Sequence, residues 1–335
     1  MKTKRLEGRD EPILEPDLPI LDSHIHLFDL PGNRYMLDDY LADAQAGHNI
    51  RGAIYCESQA FKRKDGPEHL RPLGEVEFAN GVAAMCDSGV YGSCRVGVGI
   101  IGHANLTLGS IVGELLDRCL AASLDRFRAI RCVAVEPPDD RAYKYIMTFR
   151  PPRGVLDAPG FPLGLREIEK RGLVFDAAIW HPTMPRLLAL IDQFPNLPIV
   201  LNHMACAVGV DMSVSEKAEL FQLWTRNTRE VAKRPNVTCK VGGLGMPFWG
   251  FGFQNREGPV GSTELAQTWR PYVETAIEAF GADRCMMESN FPPDGRSGGF
   301  VPTWNAYKII TATATPGEKA ALYKGTAERV YRVTV

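Results

Sequence analysis

Two histidines, His24 and His26, lie two residues apart in the segment DSHIHLF at 22–28. The apolar run just before them predicts a buried strand, in which side chains alternate between two faces. We therefore expect both imidazoles to project to the same side. Two imidazoles aimed at one point can share a metal ion or hold one substrate oxygen. A pair of structural, hydrogen-bonded histidines is the alternative.

The elements that must position this pair form a repeating pattern. Eight short apolar runs alternate with segments of helix-like apolar spacing, which is typical of parallel βαβ units. Eight such units are the number that closes a (β/α)8 TIM barrel. An open, doubly wound sheet is the competing architecture, but no glycine-rich phosphate motif follows the first run. We predict strands at 18–28, 50–57, 94–101, 127–135, 172–180, 198–204, 236–243 and 284–292.

The domain organisation follows from the same pattern. Residues 1–17 are polar and are expected to form an N-terminal arm, and residues 18–335 are expected to form a single barrel domain. The segment 136–163, rich in proline and aromatic residues, is predicted to be a long loop. A loop of that length is usually functional or disordered, and its aromatic content favours a substrate cap that includes Tyr143.

Composition excludes several classes of function. The chain has 45% apolar and 23% charged residues and a net charge of −2, so nucleic acid and anionic membranes are not expected partners. The first ten residues are charged and lack an apolar core, so no secretory signal is expected. Eight scattered cysteines without a Cys-X-X-Cys pair are typical of reduced thiols in the cytoplasm. The expected partner is a small-molecule substrate, and both a monomer and a homo-oligomer are compatible with the sequence.

Functional groups in a parallel barrel gather at the carboxyl ends of the strands. That rule places polar side chains from several predicted strands around the carboxyl-terminal opening of the barrel. They are His24, His26, Glu57, Arg131, His181, His203, Glu288 and Asn290.

At these residues the sequence resembles the amidohydrolase superfamily, and more narrowly its lactonase-type branch, which includes pyrone-dicarboxylate and sugar lactonases. The resemblance extends over nearly the whole chain from about residue 18. It implies a TIM-barrel hydrolase that opens a lactone or cyclic ester by water attack at the carbonyl. The motifs that carry it are DSHIH at 22–26, FRAIR at 127–131, His181-Pro182, NHM at 202–204 and ESNFP at 288–292.

One position departs from the family pattern. Members usually carry an aspartate where this chain has Asn290, and an amide cannot accept a proton from water at neutral pH. Glu288 points to the same face two residues earlier and could replace that aspartate as the general base. His203 and Asp294 are the other candidates. Alternatively, Glu288 pairs with Lys240 or Arg131 one layer lower.

The resemblance also assigns the remaining roles. His24, His26 and His181 are expected around the substrate carbonyl or one divalent, zinc-like ion; metal-independent activity is the equal alternative. A binuclear site is not expected, because the bridging lysine of binuclear members is missing from the fourth strand. Arg131 is expected to grip a substrate carboxylate or to form a structural ion pair, and Glu57 and Tyr143 to contact substrate. Trp249 and Phe248 are expected either to form a substrate wall or to pack within their loop.

Two rival functions remain. Metal-dependent decarboxylases share this barrel and a similar histidine set, so a lyase is one alternative. The missing aspartate allows the other, which is a non-catalytic protein that binds a small molecule.

Overall fold

Eight parallel strands form one closed barrel in the computed structural model, which describes residues 10–146, 150–258 and 260–335. Each strand pairs with the next barrel strand along the chain. The amide of His26 donates to Phe291 O (2.8 Å) and that of Asn290 to His24 O (3.0 Å), so the chain after the last strand pairs with the first strand and closes the ring. The barrel strands are β1 (Ile20–Ile25), β4 (Ile50–Cys56), β5 (Arg95–His103), β6 (Phe127–Val133), β7 (Val174–Ala178), β8 (Ile199–Leu201), β9 (Val237–Val241) and β10 (Cys285–Met287).

A short antiparallel hairpin, β2 (Phe28–Leu30) and β3 (Asn33–Tyr35), follows the first barrel strand. Helices connect the strands and cover the barrel. They are α1 (Leu37–Ala44), α2 (Leu73–Asp87), α3 (Val112–Ala122), α4 (Phe161–Lys170), α5 (Met184–Ile191), α6 (Val214–Ala232), α7 (Ser262–Phe280), α8 (Phe300–Ile310), α9 (Pro316–Ala320) and α10 (Thr326–Tyr331). Within the described ranges, no helix is long and apolar enough to cross a membrane.

The predicted TIM barrel is confirmed, and each of the eight predicted strands overlaps one observed barrel strand. The sequence analysis missed the hairpin and the helices α1 and α8. It also missed α4, which begins inside the segment predicted to be a long loop. Helices α9 and α10 are joined by a π-helical turn, Ala321–Gly325.

The described part of the predicted arm, residues 10–17, packs on the barrel; residues 1–9 lie outside the described residues. Asn305 on α8 makes three hydrogen bonds to the arm. Its Oδ1 accepts from Leu14 N (2.9 Å), and its Nδ2 donates to Pro12 O (2.9 Å) and to Glu11 Oε2 (3.4 Å). Lys308, one turn further along α8, donates to Leu14 O (2.7 Å). These bonds attach the arm to α8.

Candidate active site

His24 and His26 meet, as strand alternation predicts, with their Nε2 atoms 3.1 Å apart. The Nδ1 of His26 lies 3.0 Å from Cys56 O. A carbonyl only accepts, so Nδ1 carries the proton and the Nε2 of His26 offers a lone pair. Burial, followed by the charge of Lys240, lowers the pKa of His24 well below its usual value. Both imidazoles are therefore neutral, the state in which histidine binds a metal ion or accepts a hydrogen bond.

A buried ion pair lies beneath His24. Lys240, on β9, has its Nζ 2.9 Å from Asp176 Oδ2 and 3.3 Å from His24 Nδ1. Tyr331 donates from its hydroxyl to the same carboxylate (2.8 Å), as does Asn202 from its Nδ2 (3.0 Å). Asp176 and Lys240 are completely buried, so their charges must be paired. The network joins α10 to the barrel interior and fixes the height of the His24 ring.

Arg131 lies in the structural ion pair that the sequence analysis gave as the alternative to carboxylate binding. Its Nε donates to Glu57 Oε1 (2.8 Å) and its Nη2 to Glu57 O (2.7 Å). Its Nη1 lies 3.2 Å from His24 Nε2. The second carboxylate oxygen of Glu57 is buried and has no hydrogen-bond partner among the described residues. Glu57 thus fixes the Arg131 side chain so that its positive guanidinium group lies next to the histidine pair.

His203 and Glu288 contact each other, with His203 Nδ1 2.6 Å from Glu288 Oε1. Glu288 is completely buried, whereas the His203 side chain retains 14% exposure and lines the main cavity. The other Glu288 oxygen lies 3.1 Å from His24 Nδ1, but it makes no hydrogen bond. Because His24 is neutral, this contact is no ion pair. Glu288 thus pairs with His203 and not with the Lys240 or Arg131 of the alternative.

The local backbone brings this pair together. His203, Met204 and Ala205 lie one residue beyond the end of β8. Their φ values are 50°, 52° and 51°, which non-glycine residues rarely adopt. Such strained conformations cluster at functional sites. Gly243, after β9, has φ of 68°, and a Cβ built on it would lie 2.6 Å from His203 Cγ. Only glycine leaves room there for the His203 ring.

Asn290 and Asp294 form a second buried pair, in which Asn290 Nδ2 donates to Asp294 Oδ1 (2.6 Å). The other oxygen of Asp294 accepts from Gly245 N (2.8 Å). Burial raises the pKa of Asp294 well above its usual value. Neither residue lines the cavities, so the structure gives Asp294 no open path to a substrate.

A cavity of about 310 Å³ opens at the carboxyl ends of the strands. A smaller one of about 150 Å³, lined by His26, Glu57 and Arg131, adjoins it. The wall of the main cavity also includes residues that the sequence analysis did not select. They are Phe28, Arg34, Val133, Tyr145, Ile146, Trp180 and Arg296.

Two residues predicted to contact substrate lie away from that wall. Trp249 is 1% exposed, donates from Nε1 to Gly243 O (2.8 Å) and packs against Tyr272 and Trp224. Its neighbour Phe248 lines the cavity instead. The Tyr143 ring lies under the guanidinium groups of Arg150 and Arg153, and Tyr145 lines the cavity in its place. These offsets, of one residue at Trp249 and of two at Tyr143, arise inside 3₁₀ turns. Which side chains of such a turn face the cavity cannot be derived from a loop sequence.

His181 lies apart from the other predicted metal ligands. It is buried after β7, and its Nδ1 accepts from Val208 N (3.1 Å). Burial lowers the pKa of His181 to about 4, so the ring is neutral. In the described ranges, the clusters of three ligand-type side chains do not include it.

The site contains the donors that one metal ion needs. His24, His26 and Cys56 have ligand atoms within 4.8 Å of one another, and so do His24, His203 and Glu288. The 3.1 Å separation of the two Nε2 atoms is close to that of two nitrogens at about 2.0–2.1 Å from a zinc ion. The unpartnered buried oxygens of Glu57 and Glu288 would also gain from a cation. Burial raises the pKa of the Cys56 thiol, which leaves His24 and His26 as the main donors.

The chain belongs to the amidohydrolase family, whose model matches residues 22–333, and it is therefore a hydrolase. It is 30% identical to the uncharacterized protein y4mH of Sinorhizobium fredii over 95% of this chain and 99% of that one. It is 24% identical to an L-rhamnono-gamma-lactonase of Scheffersomyces stipitis over 82% of this chain and 85% of that enzyme. The crystal structure of an amidohydrolase from Burkholderia multivorans with bound zinc superposes with a TM-score of 0.69, at 19% identity, over 94% of this chain and 99% of that chain. The predicted resemblance is confirmed.

Proposed function

We propose that this hydrolase opens a lactone by addition of water to the ring carbonyl. The observation that carries the proposal is the His203–Glu288 pair at 2.6 Å, of which only His203 reaches the cavity. Similarity to a lactonase along most of the chain supports the substrate class. A histidine held by a buried carboxylate is a common arrangement for a general base.

The proton transfers follow from the pair. Glu288 accepts the Nδ1 proton of His203 in a hydrogen bond, which leaves the Nε2 lone pair to take a proton from water. The resulting hydroxide adds to the carbonyl carbon, and the Arg131 guanidinium stabilises the oxyanion. When the ring C–O bond breaks, the imidazolium returns its proton to the leaving oxygen. His203 is thus the base, and Glu288 positions it.

We further propose that His24 and His26 would hold one divalent, zinc-like ion, with metal-independent activity as the equal alternative. Such an ion would polarise the carbonyl oxygen when bound. Arg131 and Lys240 place two positive charges next to His24. These charges repel a metal cation, so a bound ion should be labile. Elemental analysis of protein purified without added metal tests this. Two tightly bound ions per chain would contradict the proposal, and full activity in chelator would favour the metal-independent form.

The test of function is turnover of a lactone panel, followed as a fall in pH. His203→Asn should lower kcat by roughly 10²- to 10⁴-fold, and Glu288→Gln should lower it less. The double variant should be no worse than His203→Asn, because both residues act through one base. His69→Asn is the matched control, because His69 is partly buried next to Glu114 and does not line either cavity. Normal turnover of His203→Asn would refute the assignment.

The same assay separates the rivals. Release of CO2 from aromatic carboxylic acids without lactone turnover would favour a decarboxylase. Tight binding with neither reaction would favour a binding protein. We also propose a cytoplasmic location, which is supported by eight free and buried cysteines.

A further inference from the structure

The walls of the main cavity are mostly apolar. Five strongly apolar or aromatic side chains that face it are Phe28, Val133, Ile146, Trp180 and Phe248. Trp180 and Phe248 also contact each other, with ring centroids 4.8 Å apart. A ligand with many hydroxyl groups would lose hydrogen bonds to water here and gain few in return. The cavity therefore favours a ligand with a flat or alkyl body over a polyhydroxylated one.

Three guanidinium groups interrupt this apolar wall, and two of them are already paired with acids. Arg34, on the hairpin, bonds Asp38 and Asp39 at 2.8 and 2.5 Å. Arg131 bonds Glu57 at 2.8 Å. Each of these two guanidinium charges is already balanced by an acid, so neither requires a carboxylate from the ligand, although Arg131 can still donate to a developing oxyanion.

Arg296 is the third guanidinium and differs from the other two. It lies in the 3₁₀ turn Pro293–Arg296 after β10, is partly buried, and faces the cavity. None of the described acidic side chains forms an ion pair with it. Burial lowers the pKa of Arg296 and no acid opposes this, yet a guanidinium stays charged in proteins. A partly buried cation without an anion next to an apolar cavity needs a counter-charge from a ligand.

We propose that Arg296 is a specificity-determining residue that binds the carboxylate of an apolar, monocarboxylated lactone. The inference rests on the proposed function, because the lactone ring must lie near His203 in the same cavity. One free guanidinium accounts for one carboxylate, which it can bind with two parallel hydrogen bonds. The apolar walls bind the body of the molecule. The carboxylate is thus held by Arg296 and not by Arg131, the residue that the sequence suggested.

The probes are phthalide-5-carboxylate, neutral phthalide and D-glucono-1,5-lactone, with affinity measured by calorimetry and turnover measured separately. The unmodified protein should bind the carboxylate best and the sugar lactone worst. Arg296→Met should weaken carboxylate binding roughly 10- to 100-fold and leave phthalide within about threefold. Arg296→Lys should recover part of the loss, since it keeps the charge but not the bidentate geometry. Arg34→Met, which removes a paired cation from the same wall, should change neither affinity more than about threefold.

The outcomes separate the two claims. Equal losses for phthalide and its carboxylate in Arg296→Met would overturn the inference, because Arg296 would then act on something other than the added charge. A charge-specific loss in Arg34→Met, or tightest binding of the sugar lactone, would also overturn it. Arg296-dependent binding of the carboxylate without turnover of any lactone would support the carboxylate site and contradict the hydrolysis on which its substrate class rests.

Discussion

Room for the His203–Glu288 pair depends on Gly243. Alanine at that position would need φ of 68° and would bring its Cβ within 2.6 Å of His203 Cγ. We expect Gly243→Ala to displace the ring and lower kcat at least 10-fold, with a stability loss of about 1–3 kcal/mol. Gly252→Ala is the matched control, because Gly252 has φ of 80° but no atom within 4 Å of the added Cβ. It should lose about 1–2 kcal/mol and keep its kcat. Equal kcat values in the two variants would show that crowding of His203 has no effect.

Asn290 donates one hydrogen bond of 2.6 Å to the carboxyl group of Asp294. Asn290→Asp would set two buried carboxyl groups against each other, and we expect it to lower the free energy of unfolding by about 2–4 kcal/mol at pH 8. The loss should shrink at pH 5, where one shared proton can bridge the pair. The exchange variant Asn290→Asp/Asp294→Asn restores one donor and should recover most of the stability. Urea unfolding measures all three, and an unrescued double variant would contradict the pairing.

At the scale of elements, the barrel strands could be predicted because each is a buried apolar run between helical patterns. The hairpin β2–β3 could not, since its six residues lack a clear alternation and pair only with each other. Helix α8 was missed because its buried residues, including Asn305 and Lys308, do not form one apolar stripe.

The site divides in the same way. His24 and His26 could be predicted as neighbours, because strand alternation is a local rule. The His203–Glu288 contact could not, because it depends on three left-handed residues after β8 and on a glycine of another loop. Arg296 gave no signal either, since its role follows from the absence of an acidic partner in three dimensions.

The arm at 10–17 is an element held mainly by α8. Asn305→Ala removes the bonds to Leu14 and Pro12, and we expect faster amide hydrogen exchange at residues 11–16 with little change elsewhere. Asn236→Ala is the control, because it removes an amide that donates to two carbonyls outside the arm, and it should leave arm exchange unaltered. Unchanged exchange of the arm in Asn305→Ala would mean that the bonds from Lys308, Lys319 and Ser262 hold it without Asn305.

At the scale of the whole molecule, His48 joins α8 to the start of β4. Its Nε2 donates to Val301 O (3.2 Å), so its Nδ1 is the acceptor for Lys308 Nζ (2.9 Å). Burial, followed by the charge of Lys308, lowers the pKa of His48 to about 4. Lys308 remains charged at neutral pH, although burial lowers its pKa to about 8. The folded protein therefore requires His48 to be neutral, whereas the unfolded chain protonates it near its ordinary pKa of about 6.5.

The sign of the pH dependence follows. The stabilisation linked to neutral His48 is fully present above about pH 6.5 and is lost as pH falls from there towards 4, to a total of about 3 kcal/mol. His48→Asn keeps a donor for Val301 O but cannot titrate, so its free energy of unfolding should fall less steeply over that interval. Urea unfolding at pH 7 and pH 5 measures the two slopes, with His69→Asn as the control. If His48→Asn and the unmodified protein lose stability equally between these pH values, acid destabilisation of the barrel begins elsewhere.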